Sequence, residues 1–252
     1  MLSIYNEILY RPLFNIMVFL QDVIPGGDLG LTIIVLTVII RALFSPLSLK
    51  TIKSQQSLKE LSPKIEEIKT KFKNDTAAQS AAIMKLYKEN NVNPLAGCLP
   101  LLIQLPILIA LYQVFIKGIT TESLGLLYGF VTAPEIISHN FLGLFDITQA
   151  SRLLTVIAGG LQFIQSKQSM ALQADSGSNK EMAALSKQML YFFPVMIIII
   201  GWNLPAGLIL YWIATTVFSI FESRFVSRSD SIENPRQGRD KARLTNRGSS
   251  IS

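Results

Sequence analysis

The sequence is poor in the residues from which most catalytic and metal sites are built. Its 252 residues include one cysteine, Cys98, and one histidine, His139, and only 16% of them are charged. Neither a Cys/His zinc site nor a Cys/His catalytic pair is predicted from this material. The chain also lacks a Walker-type glycine-rich loop for nucleotide phosphates. We therefore expect no metal and no cofactor, and an intramembrane hydrolase is disfavoured because His139 lies in a predicted loop.

The first 27 residues lack the features of a cleaved signal peptide. No basic segment precedes their apolar part, no small-residue cleavage site follows it, and the stretch has no cysteine for lipid attachment. Apolar and polar residues are interspersed up to Pro25-Gly26-Gly27, a sequence typical of a turn. Residues 1–27 are therefore predicted to form an amphipathic helix that lies in the membrane interface.

Apolar sequence, in contrast, is abundant and comes in blocks. Half of the residues are hydrophobic and the mean hydropathy is +0.40, well above the usage of a soluble domain. The blocks predict five membrane spans, at about residues 29–49, 95–116, 153–170, 189–203 and 207–222. The last two are short for a hydrocarbon core of about 30 Å, which local thinning of the bilayer accommodates. The predicted fold class is all-α, a polytopic membrane protein with a five-span core over residues 28–222.

The distribution of lysine and arginine predicts the orientation of these spans. Residues 50–93 contain nine lysines against five acids, whereas residues 118–151 contain neither lysine nor arginine. Because basic loops stay in the cytoplasm, the N-terminus is expected outside and the C-terminus inside. The tail, residues 223–252, is basic and predicted to be disordered. It would bind anionic lipid or RNA, or simply hold the topology in place.

The first span carries an arginine, Arg41, part-way along its length. From Leu29 to Arg41 a helix rises roughly 18 Å, so the guanidinium is expected between the bilayer midplane and the inner face. An arginine at the centre of a span costs about 2.5–3.5 kcal/mol on insertion-based scales, so a wet cavity or a bound partner must offset this cost. If the helix ended near Ser45, Arg41 would instead snorkel to the interface. We favour the intramembrane position, because Leu29–Ile40 alone is too short to span.

Residues 51–92 are predicted to form an antiparallel helical hairpin in the cytoplasm. Apolar residues recur there at alternating steps of three and four, which is typical of a heptad seam: Leu58, Leu61, Ile65, Ile68 and Phe72. Pro63 is expected to start a regular helix with Ser62 as its cap, and Asn74-Asp75-Thr76 to turn the chain and cap a second helix. The alternative is a solvated, lysine-rich loop, against which the seam argues.

Two long motifs carry a family resemblance. The first is Asn93-Pro94-Leu95-Ala96-Gly97-Cys98-Leu99-Pro100 with its continuation LLIQLPILIALYQVF, and the second is Leu204-Pro205-Ala206-Gly207-Leu208-Ile209-Leu210-Tyr211-Trp212. Both resemble core spans of the YidC-type membrane insertases, as do the arginine in the first span, the charged hairpin and the order of spans. The resemblance covers about residues 5–225 and is that of a short bacterial member.

This resemblance implies a membrane protein insertase, not an enzyme, in the bacterial cell membrane, with five helices around a hydrophilic groove. Arg41, Gln165 and Trp212 fall where the family places groove-lining residues, and we add Gln162 and Gln104. A glutamine in a span also has the plainer role of bonding a neighbouring helix, and Trp212 that of an interface anchor. The implied partners are nascent membrane proteins and the lipid bilayer. The Sec translocon, the ribosome and signal-recognition targeting factors are further candidates, and no small-molecule substrate is expected.

A small channel or secondary transporter is the alternative function. In that case Arg41 would form an anion site. Such transporters are commonly built from internal repeats, and we find no repeat that joins the two halves of this chain. The insertase is therefore the favoured prediction.

Overall fold

The computed structural model describes residues 2–93, 99–117, 123, 125–132, 138–172 and 180–233. Helices make up most of this part of the chain, which confirms the prediction of an all-α fold. The predicted second span begins at residue 95, and its first residues, including Cys98, lie outside the described residues.

The N-terminal half of the described chain is a series of helices joined by tight turns. In order they are α1 (Leu2–Tyr5), a π-helical turn (Asn6–Tyr10), α2 (Arg11–Val23), a 3-10 turn (Pro25–Gly27), α3 (Leu29–Glu60), α4 (Ser62–Lys71) and α5 (Thr76–Glu89). Gly26 and Gly27 have φ of 74° and 57°, a left-handed conformation that glycine adopts without strain. The Asp28 side chain then caps α3 by accepting a hydrogen bond from the backbone N–H of Leu31.

Long helices and one short hairpin form the remainder. They are α6 (Leu99–Lys117), the antiparallel strands β1 (Asn140–Phe141) and β2 (Phe145–Asp146), α7 (Arg152–Leu172), α8 (Lys180–Gly201) and α9 (Ala206–Glu233). Helix α9 packs along both α3 and α7, and α7 packs along α8.

Two described helices are long and apolar enough to cross a membrane. They are α3, with 32 residues, and the segment Ala206–Val226 of α9, with 21 residues. Shorter apolar segments occupy Gln104–Val114 in α6 and Leu190–Gly201 in α8. The presence of five membrane spans therefore remains a prediction.

Several helices extend beyond the apolar blocks from which they were predicted. Helix α3 continues to Glu60, past the predicted boundary near residue 50, and Ser62 is the first residue of α4 instead of its cap. Helix α9 runs to Glu233, so the predicted disordered tail is helical in its first part. Val226, in that part, is only 2% exposed, and its burial explains why the helix does not end with the apolar block. Residues 234–252 lie outside the described part.

The N-terminal segment packs into the protein core. Phe14 and Val18 of α2 are fully buried against Ile33 and Leu36 of α3 and Leu111 of α6. Other apolar side chains of the segment, among them Ile8 and Phe19, remain exposed. The segment thus has one face for the protein and a second apolar face directed away from it.

A loop region between α6 and α7 is hydrogen-bonded to the first turns of α3 and α9. Ser138 exchanges backbone hydrogen bonds with Leu29 and Gly27, at 3.1 and 2.9 Å. At the other helix, the N–H groups of Ala206 and Gly207 donate to the carbonyls of Gln149 and Ile147, both at 2.8 Å. Since α3 and α9 both begin at this region, which we call the junction loop (138–151), they run in the same direction.

Candidate functional site

Arg41 lies inside the apolar part of α3 and is held by a side chain from another helix. Its Nη2 donates a hydrogen bond to Oε1 of Gln104 on α6, at 3.2 Å. No carboxylate of the described residues lies within 4.0 Å of the guanidinium. The arginine is therefore fixed by a neutral partner and keeps its full positive charge available to a ligand.

Gln104 links this arginine to α9. Its Nε2 donates to the hydroxyl of Tyr211, a residue that is only 2% exposed. Three helices thus meet in a chain of hydrogen bonds that runs from Arg41 through Gln104 to Tyr211. Such a chain gives each buried polar group a partner, which low-dielectric surroundings require.

A cavity with both polar and apolar lining opens beside this chain of hydrogen bonds. Its polar lining also includes the hydroxyl residues Thr37, Ser48, Thr51 and Thr215, and its apolar lining consists of Ile40, Phe44, Leu47 and Ile107. The cavity has a volume of about 40 Å³, whereas a single water needs roughly 10–15 Å³. The cavity therefore has room and partners for water next to a positive charge.

Two further predicted residues, Gln162 and Trp212, form a separate polar contact. The indole Nε1 of Trp212 donates to Oε1 of Gln162 at 3.1 Å, and Gln162 in turn donates to Ser166 Oγ at 3.4 Å. Gln165 is half-buried on α7, and within the described chain it makes no hydrogen bond with the other four predicted residues. The structure therefore brings Arg41 and Gln104 together, and Gln162 and Trp212 together.

Sequence reasoning missed a direct polar contact between α3 and α9. The hydroxyl of Ser48 donates to Oε2 of Glu222 at 2.8 Å, and Glu222 is only 7% exposed. Helical spacing carried the signal, because Tyr211, Thr215 and Glu222 follow at steps of four and seven and so share one face of α9. Ser48 stands seven residues after Arg41, on the same face of α3. We call this row of facing polar residues the polar seam: Arg41, Ser48, Tyr211, Thr215 and Glu222.

Chemically, the polar seam and the cavity offer a cation, hydroxyl groups and room for water beside apolar side chains. Leu43 is 72% exposed, and Phe44 and Leu47 are also exposed, so α3 carries an apolar surface directly next to Arg41. Within the described part of the chain, no three His, Cys, Asp or Glu side chains come close enough to hold a metal ion. The arrangement suits a long ligand that is apolar along most of its length and polar at one end.

The comparison with protein families decides the identity of this architecture. Residues 19–234 match the family described as 60Kd inner membrane protein. The chain belongs to this family. The matched range contains the whole polar seam, together with the Arg41–Gln104 and Gln162–Trp212 contacts.

Individual relatives agree with this assignment. The chain is 32% identical over 230 residues to the membrane protein insertase YidC of Oceanobacillus iheyensis, which covers 90% of this chain and 84% of that protein. It is 37% identical over 224 residues to the membrane protein insertase YidC 2 of Bacillus anthracis, covering 86% and 79%. The predicted resemblance to the YidC-type insertases is confirmed, and with it the assignment to a bacterial membrane.

A solved structure supports the fold. A crystal structure of an active YidC insertase with its first transmembrane domain resolved superposes with a TM-score of 0.58 at 27% identity. The match covers 86% of this chain and 46% of the solved one. The present chain therefore spans about half of that protein and contains the helical part that the two share.

Proposed function

We propose that this chain is a membrane protein insertase, which moves nascent apolar segments and their short polar tails into the bilayer through a groove that contains Arg41. The observation that carries this proposal is an arginine in a membrane-length helix, bound to neutral Gln104 beside a cavity with room for water. Relatives named membrane protein insertases support it. The groove would consist of the cavity-lining residues of the polar seam, Arg41, Ser48, Tyr211 and Thr215, together with Gln104, Gln162, Gln165 and Trp212.

In this proposal five helices, α3 and α6–α9, cross the membrane, with the N-terminus outside and the C-terminus in the cytoplasm. The excess of lysine in residues 50–93 supports a cytoplasmic position for α4 and α5. The lack of lysine and arginine in residues 118–151 supports a position outside the membrane for the junction loop. Backbone bonds from that loop to the first turns of α3 and α9 would close the groove on the outside.

The energetic problem of insertion is the passage of a polar tail through hydrocarbon. Each unsatisfied backbone group in the bilayer core costs several kcal/mol. A wet cavity that reaches part-way across shortens the path on which the tail has no hydrogen-bond partner. Arg41 adds attraction for acidic residues in the tail, so the groove lowers the barrier without nucleotide hydrolysis.

The apolar part of a client has a separate path into lipid. Leu43, Phe44 and Leu47 present an exposed apolar surface on α3 next to the cavity. A client helix that lies against this surface loses little by moving sideways into the hydrocarbon, because both environments are apolar. The groove would therefore be open to lipid on this side.

Helices α4 and α5 would form an antiparallel hairpin that recruits clients or targeting partners. They contact each other, and Gln79 Nε2 of α5 donates to the carbonyl of Lys69 in α4 at 3.3 Å. Ile65 is buried, whereas α5 has no buried residue in its described length. Because so little of their surface is buried, α4 and α5, which we call the arm, are free to move relative to the spans.

Reconstitution tests the proposed function directly. The purified protein in liposomes should insert a small single-span client, seen as protection of its tail from added protease, while empty liposomes should not. The competing function, a channel or transporter with Arg41 as an anion site, predicts saturable uptake of a small anion instead. Uptake without client insertion would contradict the proposal.

A further inference from the structure

The structure contains one buried carboxylate in the polar seam that the proposed mechanism does not use. Glu222 is 7% exposed, and its Oε2 accepts the hydrogen bond from Ser48. Its other oxygen, Oε1, is buried without a hydrogen-bond partner among the described residues. A buried carboxylate with a free oxygen is costly, so its position calls for an explanation beyond packing.

The location of Glu222 relative to Arg41 suggests this explanation. Ser48, which binds Glu222, stands seven residues beyond Arg41 on α3, or roughly 10 Å along the helix axis. The two side chains form no ion pair among the described residues, but charges roughly 10 Å apart still interact where the effective dielectric is lower than that of water. In the proposed orientation Glu222 lies on the cytoplasmic side of Arg41, where a client enters.

We propose that Glu222 is a specificity-determining residue, a fixed negative charge that limits the attraction of the groove for acidic client tails. It acts through the field at Arg41 and does not touch the client, because its side chain is buried and the cavity lining does not include it. The groove would thereby accept clients with neutral tails instead of selecting strongly for acidic ones. This inference rests on the proposed insertase function.

The magnitude follows from the separation of the charges. A client carboxylate at Arg41 would lie roughly 10 Å from Glu222, where repulsion changes an equilibrium about two-fold in water and about fifteen-fold at an effective dielectric of 20. Removing the charge should therefore raise the insertion of an acidic-tailed client relative to a neutral-tailed one by a factor in this range. Low ionic strength gives the larger effect, since salt screens charges at this distance.

The test uses two clients that differ only in tail charge and four variants of the full chain in liposomes. Glu222→Gln keeps the shape and still accepts from Ser48, and Glu222→Met is a second neutral variant. Both should raise the acidic-to-neutral ratio. Glu222→Asp keeps the charge and should leave the ratio near that of the unmodified protein. Ser48→Ala removes only the hydrogen bond and should change the insertion of both clients by the same factor.

Four results would overturn the inference. A neutral variant that lowers both clients equally, in the manner of Ser48→Ala, would make Glu222 a clamp between α3 and α9. Failure to recover either neutral variant from the membrane would likewise assign it a structural role. If the unmodified protein inserts neither client, the proposed function fails and this inference with it. Normal insertion with an unchanged ratio in Glu222→Gln contradicts only the role of Glu222.

Discussion

Gly30 lies in the first turn of α3, where the helix contacts strand β1 of the junction loop. A Cβ at this position would lie 2.3 Å from Cδ2 of Phe141 and 2.8 Å from both its Cβ and its Cγ. Because the Cβ of Phe141 is attached to its backbone, rotating the ring does not remove the clash, and β1 must move away from α3. We therefore expect Gly30→Ala to destabilise the protein by about 1–3 kcal/mol, the usual cost of overpacking.

The same movement would disturb the junction between the start of α3 and the loop that contains β1. Asp28 accepts a hydrogen bond from the backbone N–H of Leu142 at 2.6 Å, and Leu29 donates to the carbonyl of Ser138 at 3.1 Å. Both bonds connect the start of α3 to the residues around β1. The measurement is thermal unfolding in detergent micelles, in which about 1 kcal/mol shifts the midpoint by roughly 2–4 °C for a chain of this size.

Gly160 provides the matched control for this prediction. It lies within α7, and a Cβ there would meet no atom within 4 Å. Gly160→Ala adds the same methyl group and should leave the midpoint unchanged or raise it, since alanine is favoured over glycine in a helix by about 1 kcal/mol. In a Phe141→Ala background, Gly30→Ala should cost less, because two of its three close contacts are gone. Equal effects at both glycines, or no coupling to Phe141, would refute the reasoning.

Three further predictions concern the cap, the arm and the topology. Asp28→Ala removes the cap of α3 and the acceptor for the N–H of Leu142, so it should lower the free energy of unfolding by about 2–4 kcal/mol. Removing the exposed cap Asp75 in the same way should cost about 1 kcal/mol. Both are measured by urea unfolding followed by circular dichroism, and equal costs would contradict the role of the loop contact. Deleting residues 62–90 should leave a stable membrane protein with little insertion activity, and normal insertion by the deleted form would remove the arm from the mechanism. In a cysteine-free background, an impermeant thiol reagent added to intact cells should label Thr132→Cys and spare Lys64→Cys, and the opposite pattern would invert the topology.

The sequence predicted the composition of the site better than its geometry. Arg41 and Gln104 were both expected in the groove. They are 63 positions apart in the sequence, and no local sequence pattern predicts that two such side chains are in contact. The role of Tyr211 was not predicted, because a tyrosine in an apolar span is usually a hydrophobic packing residue. Only the structure shows that its hydroxyl bonds to Gln104. Glu222 was taken as the end of a span, although its spacing from Tyr211 puts it on the same face of α9.

Helix ends were the least predictable part of the fold. Hydropathy marks where side chains are apolar, whereas a helix continues as long as its backbone bonds are made and nothing competes with them. Helices α3 and α9 therefore run on into polar sequence, to Glu60 and Glu233. The cap of α5 was predictable, because Asp75 carries a local signal: its side chain accepts from the N–H of Ala78 at 2.9 Å.

The charge of Arg41 is the central claim, and a charge series at this position tests it most directly. Opposite charges about 4 Å apart gain roughly 4 kcal/mol at an effective dielectric of 20 and about 1 kcal/mol in water, so attraction of an acidic tail should lie between these values. Insertion of matched acidic-tailed and neutral-tailed clients into liposomes is measured for Arg41→Lys, Arg41→Ala and Arg41→Glu. Lysine should keep much of the activity, alanine should impair the acidic-tailed client most, and glutamate should impair it further. Equal losses for both clients would contradict the electrostatic role and leave Arg41 as a structural or hydrating residue.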